Sequence, residues 1–377
     1  MTPHAATADP HRIDPDRVRR LLDHAVRIAV RGHGGAEPNP MVGCVIATAG
    51  GAVIAEGFHR RCGGPHAEIE ALRAAGERAR GAVALVTLEP CAHRGRTGPC
   101  ADALIDAGVS QVLYAVPDPN PLARGGAARL REAGVAADHV PHAGALELAR
   151  PFLKRVTTGL PWVTAKWAQS VDGAIALANG DSKWLSCGRS RRMVHRERGR
   201  VDAILTGIGT VIEDDPQLTP RGVRVQRMPR RVVFDPGVEI PIESRLCDGT
   251  ARTTLLVGAT LDRAAEGRLA MLRARGVDAV ALGADDRIEP ALRTLAGQGV
   301  STVLVEAGGG VVGRLVAEGL LDEAWVFVAP LVVGDGLAQR PARGMERSIL
   351  AEIPRGRLLA VRRRGEDALL QFRFGTA

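Results

Sequence analysis

The sequence predicts an α/β protein of two domains, and three observations carry that expectation. The chain has 377 residues, more than one average domain holds. Short apolar runs of strand length alternate with stretches of helical period along its whole length. The chemistry-bearing residues fall into two separate sets, one of His, Glu and Cys between residues 66 and 100 and one Gly-rich at 308–313. A boundary between 145 and 160, near Gly159-Leu160-Pro161, gives domains 1–150 and 151–377.

In the first domain, residues 18–30 place Leu21, Leu22, Ala25, Ile28 and Ala29 on one helical face, and Gly32-His33-Gly34-Gly35 breaks the helix. Pro38 and Pro40 fix an extended turn that aims the Asn39 amide. Residues 42–46 and 53–56 form a hairpin about Ala49-Gly50-Gly51. The stretch 68–75 is a helix burying Ile69, Ala71, Leu72 and Ala75, with His66 and Glu68 in its first turn. Strands at 83–88 and 111–116 and helices at 101–107, 122–133 and 148–158 complete the domain. The second domain has expected strands at 162–168, 203–206, 231–234, 253–257, 279–282, 302–306 and 324–328, then a closing antiparallel pair at 358–363 and 368–374.

Composition narrows the function. With 45% hydrophobic and 24% charged residues the chain is an ordinary soluble globular protein. Only 3% of residues are aromatic, which supplies no stacking platform for single-stranded nucleic acid. The net charge is +8, yet no run of five or six Lys/Arg occurs, so a phosphorylated small molecule accounts for the basicity and nucleic acid is not an expected partner. Six cysteines (44, 62, 91, 100, 187 and 247) are too few for a disulfide framework, and neither a leader-type apolar segment at 1–16 nor an 18-residue apolar run is present. A cytoplasmic protein with a frayed first dozen residues, no membrane contact and a homo-oligomeric state, dimer or tetramer, is expected.

His66, Cys91 and Cys100 form a metal-ligand set of the size a catalytic zinc uses, three protein donors with the fourth position left open. Glu68 is then free to move protons. H-x-E followed by P-C and a second Cys is the pattern of zinc-dependent base deaminases, in which the metal acidifies a water and the Glu is general acid/base. The cysteines enclose a basic, Gly/Pro-punctuated loop, His93-Arg94-Gly95-Arg96-Thr97-Gly98-Pro99, which suits an anionic substrate. In the second domain Gly308-Gly309-Gly310-Val311-Val312-Gly313 fits G-x-G-x-x-G after a strand and opens a helix, where backbone N–H groups cradle a diphosphate. Asp322 and Glu323 precede the next strand, too early for the ribose-binding acid of a Rossmann unit, so a nucleotide loop on another fold is expected.

The motifs P-N-P-x-V-G-C, P-H-A-E, T-L-E-P-C, G-R-T-G-P-C and D-P-N-P resemble the deaminase half of the bifunctional riboflavin-biosynthesis deaminase/reductase family. K-x-A-x-S-x-D-G (166–173), Gly180-Asp181-Ser182-Lys183-Trp184, the segment 209–221 and Glu306-Ala307-Gly308 resemble its reductase half. The resemblance implies a cytidine-deaminase-like three-layer domain followed by a dihydrofolate-reductase-like α/β domain, one zinc per chain and NADPH. It implies Asn39, His93, Arg96, Asp118 and Asn120 at the pyrimidine and its ribose phosphate. In the second domain it implies Gln169, Trp184, Thr210, Asp214 and 308–313 at the cofactor, with Ser182, Arg198, Leu218, Arg221 and Glu306 at the substrate. Rival readings are a nucleic-acid base deaminase with an accessory domain, which calls for Cys-x-x-Cys and clustered Lys/Arg, and a lone reductase with a structural zinc module, which would not need Glu68.

Overall fold

The computed structural model describes residues 13–93, 98–345 and 349–375. It divides into two compact units, Met1–Thr158 and Gly159–Ala377. Residue 150 lies inside a helix, and the break comes at its end.

The first unit runs α1 (Pro15–Ala29), β1 (Gly43–Ala47), β2 (Val53–Phe58), α2 (Ala67–Ala75), β3 (Val83–Val86), α3 (Cys100–Asp106), β4 (Gln111–Tyr114), α4 (Gly126–Glu132), β5 (Ala136–His139) and α5 (Ala143–Thr158). Its five strands are ordered β2-β1-β3-β4-β5, antiparallel across β2-β1-β3 and parallel across β3-β4-β5. Helices cover both faces. A Cβ on Gly43 would meet the Ala25 carbonyl of α1, and one on Gly57 would meet the Ala67 carbonyl of α2. Gly57 pairs with Cys44, so neighbouring pleat positions point at opposite helices. Three layers result.

Helix α1 starts at Pro15, three residues before its apolar stripe, because Asp14 caps the Arg17 amide and proline suits the first turn. Helix α4 starts at Gly126, later than the 122 expected, because Gly125 takes a left-handed φ of 100° and Gly126 packs its bare Cα against the Pro90 carbonyl. The short strand β5, with one buried residue, carries no period that a sequence could reveal. The expected fraying of the first dozen residues lies outside the described residues.

The second unit runs β6 (Trp162–Gln169), α6 (Gly188–Arg198), β7 (Ala203–Gly207), α7 (Ile208–Asp214), β8 (Arg230–Phe234), β9 (Thr253–Val257), α8 (Arg263–Ala274), β10 (Asp278–Ala281), α9 (Glu289–Gly297), β11 (Thr302–Val305), α10 (Gly309–Ala317), β12 (Glu323–Val328), β13 (Arg357–Arg364) and β14 (Asp367–Arg373). The nine-stranded sheet has the order β10-β9-β8-β7-β11-β6-β12-β14-β13, parallel from β10 to β12, with β14 antiparallel to both of its neighbours. Successive strand residues alternate between two cores: Leu205, Val232 and Val303 face α9 and α10, while Ile204, Val233 and Leu304 face α8. Order reverses around β6 and β11, the kind of place where open parallel sheets bind ligands beyond their carboxyl ends. Among the described residues no helix is long and apolar enough to cross a membrane.

Candidate active sites

In the first unit three donors converge from three elements. His66 is the N-cap of α2, Cys100 opens α3, and Cys91 follows β3. His66 Nδ1 lies 3.2 Å from Cys100 Sγ and 3.6 Å from Cys91 Sγ, and all three donor atoms fall within 4.8 Å of one another. Tetrahedral zinc with sulfur at about 2.3 Å and nitrogen at about 2.0–2.1 Å spaces such pairs about 3.6 Å apart, so donor type, number and spacing fit that ion. Hydrogen bonds from the Cys100 thiol, His66 and the Cys100 backbone N–H hold the Cys91 thiol well below its ordinary range, while Cys91 and burial push Cys100 up. A divalent ion held by the trio would favour the thiolate of both cysteines.

Glu68, 3% exposed, stands in the first turn of α2 outside that donor trio. Burial lifts its carboxyl to about 7, against the His66 charge and helped by Cys91, and a cation at the trio pulls the other way. Asn39 is joined to the same place through a residue the sequence did not flag. Asn39 Nδ2 donates to His59 Nε2 at 3.2 Å, His59 Nδ1 donates to the Pro65 carbonyl at 2.9 Å, and the His59 ring meets the His66 ring edge-on at 5.3 Å. The carbonyl thus fixes the imidazole tautomer and the imidazole fixes the amide. His93 Nδ1 is buried with no partner among the described residues, and its charge acts on Asp118.

Asp118 and Asn120 shape their own loop, each accepting from a backbone N–H two residues on, at 2.9 and 3.1 Å. Glu89 ties that loop to the cysteine segment, accepting from the Asp118 and Ala127 amides at 3.2 and 3.1 Å. T-L-E-P-C contained Glu89, but only these long-range contacts show its work. Arg96 lies outside the described residues.

The second unit holds a cavity of about 790 Å³ beyond the carboxyl ends of β6, β7, β8 and β11. At one end Glu306 is buried and bonded to Lys166 Nζ at 2.8 Å and to Arg198 Nε and Nη2 at 2.5 and 3.0 Å. Burial alone would raise the Glu306 carboxyl, but the two cations outweigh it and hold the group well below the usual carboxylate range. Arg198 Nη1 also reaches the Thr219 carbonyl, so its guanidinium is occupied by protein, whereas Arg221 is exposed and its Nη1 donates to Gln217 Oε1 at 3.4 Å. His195 steadies that segment by accepting the Arg221 backbone amide at 3.2 Å, while burial, Arg198 and Arg221 lower the pKa of its imidazole. Leu218, between these contacts, holds a strained φ of 49°.

Ser182, Trp184, Thr210, Asp214, Leu218, Gly308, Gly310 and Val311 line the same cavity. Trp184 is 71% exposed beneath the Arg191 guanidinium, and Lys183 pairs with Asp214 at 2.9 Å. Four expected cofactor residues are not brought to the wall. Gln169 accepts from Trp167 Nε1 at 2.7 Å. Val312 is core. A Cβ on Gly309 or Gly313 would fall 2.4 or 1.9 Å from the carbonyl oxygens of Arg340 and Arg343, so these glycines admit a crossing strap. The cavity nevertheless fits a dinucleotide: the α10 N-terminus opens into it at Gly308 and Gly310, where an added Cβ on Gly310 meets nothing within 4 Å.

Two such sites on one chain define a bifunctional enzyme, a zinc-dependent deaminase followed by an NADPH-dependent reductase. Residues 15–116 match the cytidine and deoxycytidylate deaminase zinc-binding region, and residues 161–370 match the RibD C-terminal domain. Riboflavin biosynthesis protein RibD of Aquifex aeolicus is 36% identical over 94% of this chain and 98% of its own length. Acinetobacter baumannii RibD superposes with a TM-score of 0.85 at 35% identity, covering 96% of this chain and 100% of that one. The diaminohydroxyphosphoribosylaminopyrimidine deaminase/5-amino-6-(5-phosphoribosylamino)uracil reductase of Thermotoga maritima gives 0.83 at 32% identity, covering 96% and 99%. The chain belongs to the RibD family of bifunctional riboflavin-biosynthesis enzymes.

Proposed function

We propose that the first unit deaminates 2,5-diamino-6-(5-phosphoribosylamino)pyrimidin-4-one and that the second reduces the ribosyl group of the resulting 5-amino-6-(5-phosphoribosylamino)uracil to ribityl. The convergence of His66, Cys91 and Cys100 beside the buried Glu68 carries this reading. Zinc held by the three donors supplies an electrophile that acidifies water. Glu68 takes up a proton and delivers it to the departing amine nitrogen, a role open to a buried carboxyl that stands in the first turn of α2 outside the donor trio. Asn39, oriented through His59, and His93 beside Asp118 hold the pyrimidine, and the basic loop containing Arg96 meets its phosphate.

In the second unit NADPH supplies the hydride. Arg221, steadied by His195, holds the substrate phosphate, and Leu218 and Ser182 bound the ribose. Lys166, pinned by Glu306, is the proton donor that the cavity offers to the ribose ring oxygen, whose bond to C1′ breaks to leave a hydroxyl and an imine carbon that takes the hydride. We assign 1–158 to the deaminase and 159–377 to the reductase. The six free cysteines suit a reducing cytoplasm. A homo-oligomer formed through β13 accounts for an edge strand that exposes Leu358 at 52% and Val361 at 61%. A monomer in sedimentation at micromolar concentration would end that part of the reading.

The decisive experiment feeds the diaminopyrimidine to pure protein with and without NADPH. Ammonia is expected in both cases, and NADPH oxidation only after ammonia has been released. NADPH oxidation without prior ammonia release would overturn the order of steps, and no ammonia from zinc-loaded protein would overturn the substrate.

A further inference from the structure

We propose that Arg314 reads the 2′-phosphate of the dinucleotide and thereby sets the preference for NADPH over NADH. The proposal rests on the assignment of the second unit's cavity to the cofactor.

Position comes first. Gly310 and Arg314 lie one turn apart on α10 and both line the cavity. The diphosphate belongs at the open N-terminus around Gly308 and Gly310. Four residues along a helix advance roughly 6 Å, a span comparable with the one ribose that separates a nucleotide's 5′-phosphate from a phosphate on its 2′-oxygen.

The guanidinium is also prepared for an anion. Arg314 Nη1 donates to the Asp285 carbonyl at 2.7 Å and to the Asp286 carbonyl at 3.2 Å, and its plane lies over the Phe234 ring with 5.4 Å to the centroid. Phe234, at the carboxyl end of β8, lines the cavity too. Asp285 and Asp286 both take left-handed φ values, 53° and 56°, and present their carbonyls to one nitrogen. One corner of the fork is thereby anchored. Among the described residues Nε and Nη2 make no hydrogen bond and no carboxylate pairs with the group, although the two residues whose carbonyls it meets are aspartates. An arginine held by main chain and ring, with a free edge and an unneutralised charge, is a preorganised phosphate receptor.

The other cations of the wall have different occupations. Lys166 and Arg198 serve Glu306, Arg221 sits on the substrate loop, Arg191 lies over Trp184, and Arg343 packs its side chain near Gly309 at the diphosphate end.

The test uses full-length protein carrying Arg314→Met, which keeps an apolar stem against Phe234, or Arg314→Lys. Calorimetric titration with adenosine 2′,5′-bisphosphate and adenosine 5′-monophosphate, then with NADPH and NADH, reads the 2′-phosphate alone. Arg314→Met should weaken the bisphosphate and NADPH by ~10- to 100-fold while leaving the monophosphate and NADH unchanged. Arg314→Lys should fall between. Equal weakening of both nucleotides would make Arg314 a structural tie and overturn the proposal, as would unchanged bisphosphate affinity. Wild-type protein that binds neither NADPH nor the bisphosphate would overturn the cofactor cavity itself; a wild type that binds both, with a variant that does so equally, removes only the role of Arg314.

Discussion

Two carboxylates show how burial acquires opposite meanings from its neighbours. Glu68 is buried with little cationic help and rises to about 7, whereas Glu306 is buried between Lys166 and Arg198 and falls below the usual range. Glu68→Gln should therefore keep the metal, because the side chain is not in the donor trio, and lose ammonia release by ~10²- to 10⁴-fold. Elemental analysis beside the ammonia assay checks this, and loss of zinc would move Glu68 into the coordination sphere. Glu306→Gln removes the carboxylate from between two half-buried cations, and breaking a buried pair from one side costs about 3–5 kcal/mol as an upper bound here. The folded carboxyl sits below its ordinary 4.5, so its contribution is complete above that value and disappears as pH falls through the depressed one. Urea unfolding followed by the reductase unit's signal should thus show wild type well above Glu306→Gln at pH 7 and the gap closing on acidification; a gap independent of pH would mean the ion cluster is not what stabilises the site.

The helix α10 separates what a motif announces from what its residues do. Gly310→Ala should raise the melting temperature, since alanine gains up to about 1 kcal/mol over glycine in a helix, and should weaken NADPH because the new methyl enters the cavity. Gly313→Ala should do the reverse to stability, its Cβ falling 1.9 Å from the Arg343 carbonyl, with overpacking of about 1–3 kcal/mol. Thermal melts of both variants decide the matter, and matching shifts would erase the distinction. Element types were legible in the sequence because several strands carry short apolar runs, such as Val232-Val233, Leu255-Leu256-Val257 and Val303-Leu304-Val305, and the α2 and α3 starts carry their own ligands. G-x-G-x-x-G was legible as a nucleotide loop, yet two of its glycines answer to the strap at 340–343, which lies distant in sequence. The same distance hid His59, Glu89 and His195, whose roles rest on contacts 20, 29 and 26 residues away. Ser170 and Asp172 of the K-x-A-x-S-x-D-G motif likewise bond to each other, and Asp172 accepts the Val333 and Gly334 amides, fastening the other end of that strap.

At the scale of the whole molecule, each proposed site is built entirely within one compact unit: the metal trio and Glu68 before residue 159, the cavity after it. Lesions at distant sites with no shared partners act independently, to within about 0.5 kcal/mol. Glu68→Gln protein should therefore oxidise NADPH at the wild-type rate when given the already deaminated pyrimidine. Arg198→Ala protein, which loses the partner of Glu306 and the Thr219 contact, should still release ammonia from the diamino compound. Mixing the two proteins should restore the full conversion, because the deaminated intermediate leaves one chain and enters another, and the restored flux should show a lag that shortens as total protein increases. A lag-free wild type beside a strongly lagging mixture would reveal transfer of intermediate within one chain. Loss of NADPH oxidation in folded Glu68→Gln protein on the deaminated substrate would show that the two chemistries share a site or an obligatory coupling, and would remove the assignment of one activity to each unit.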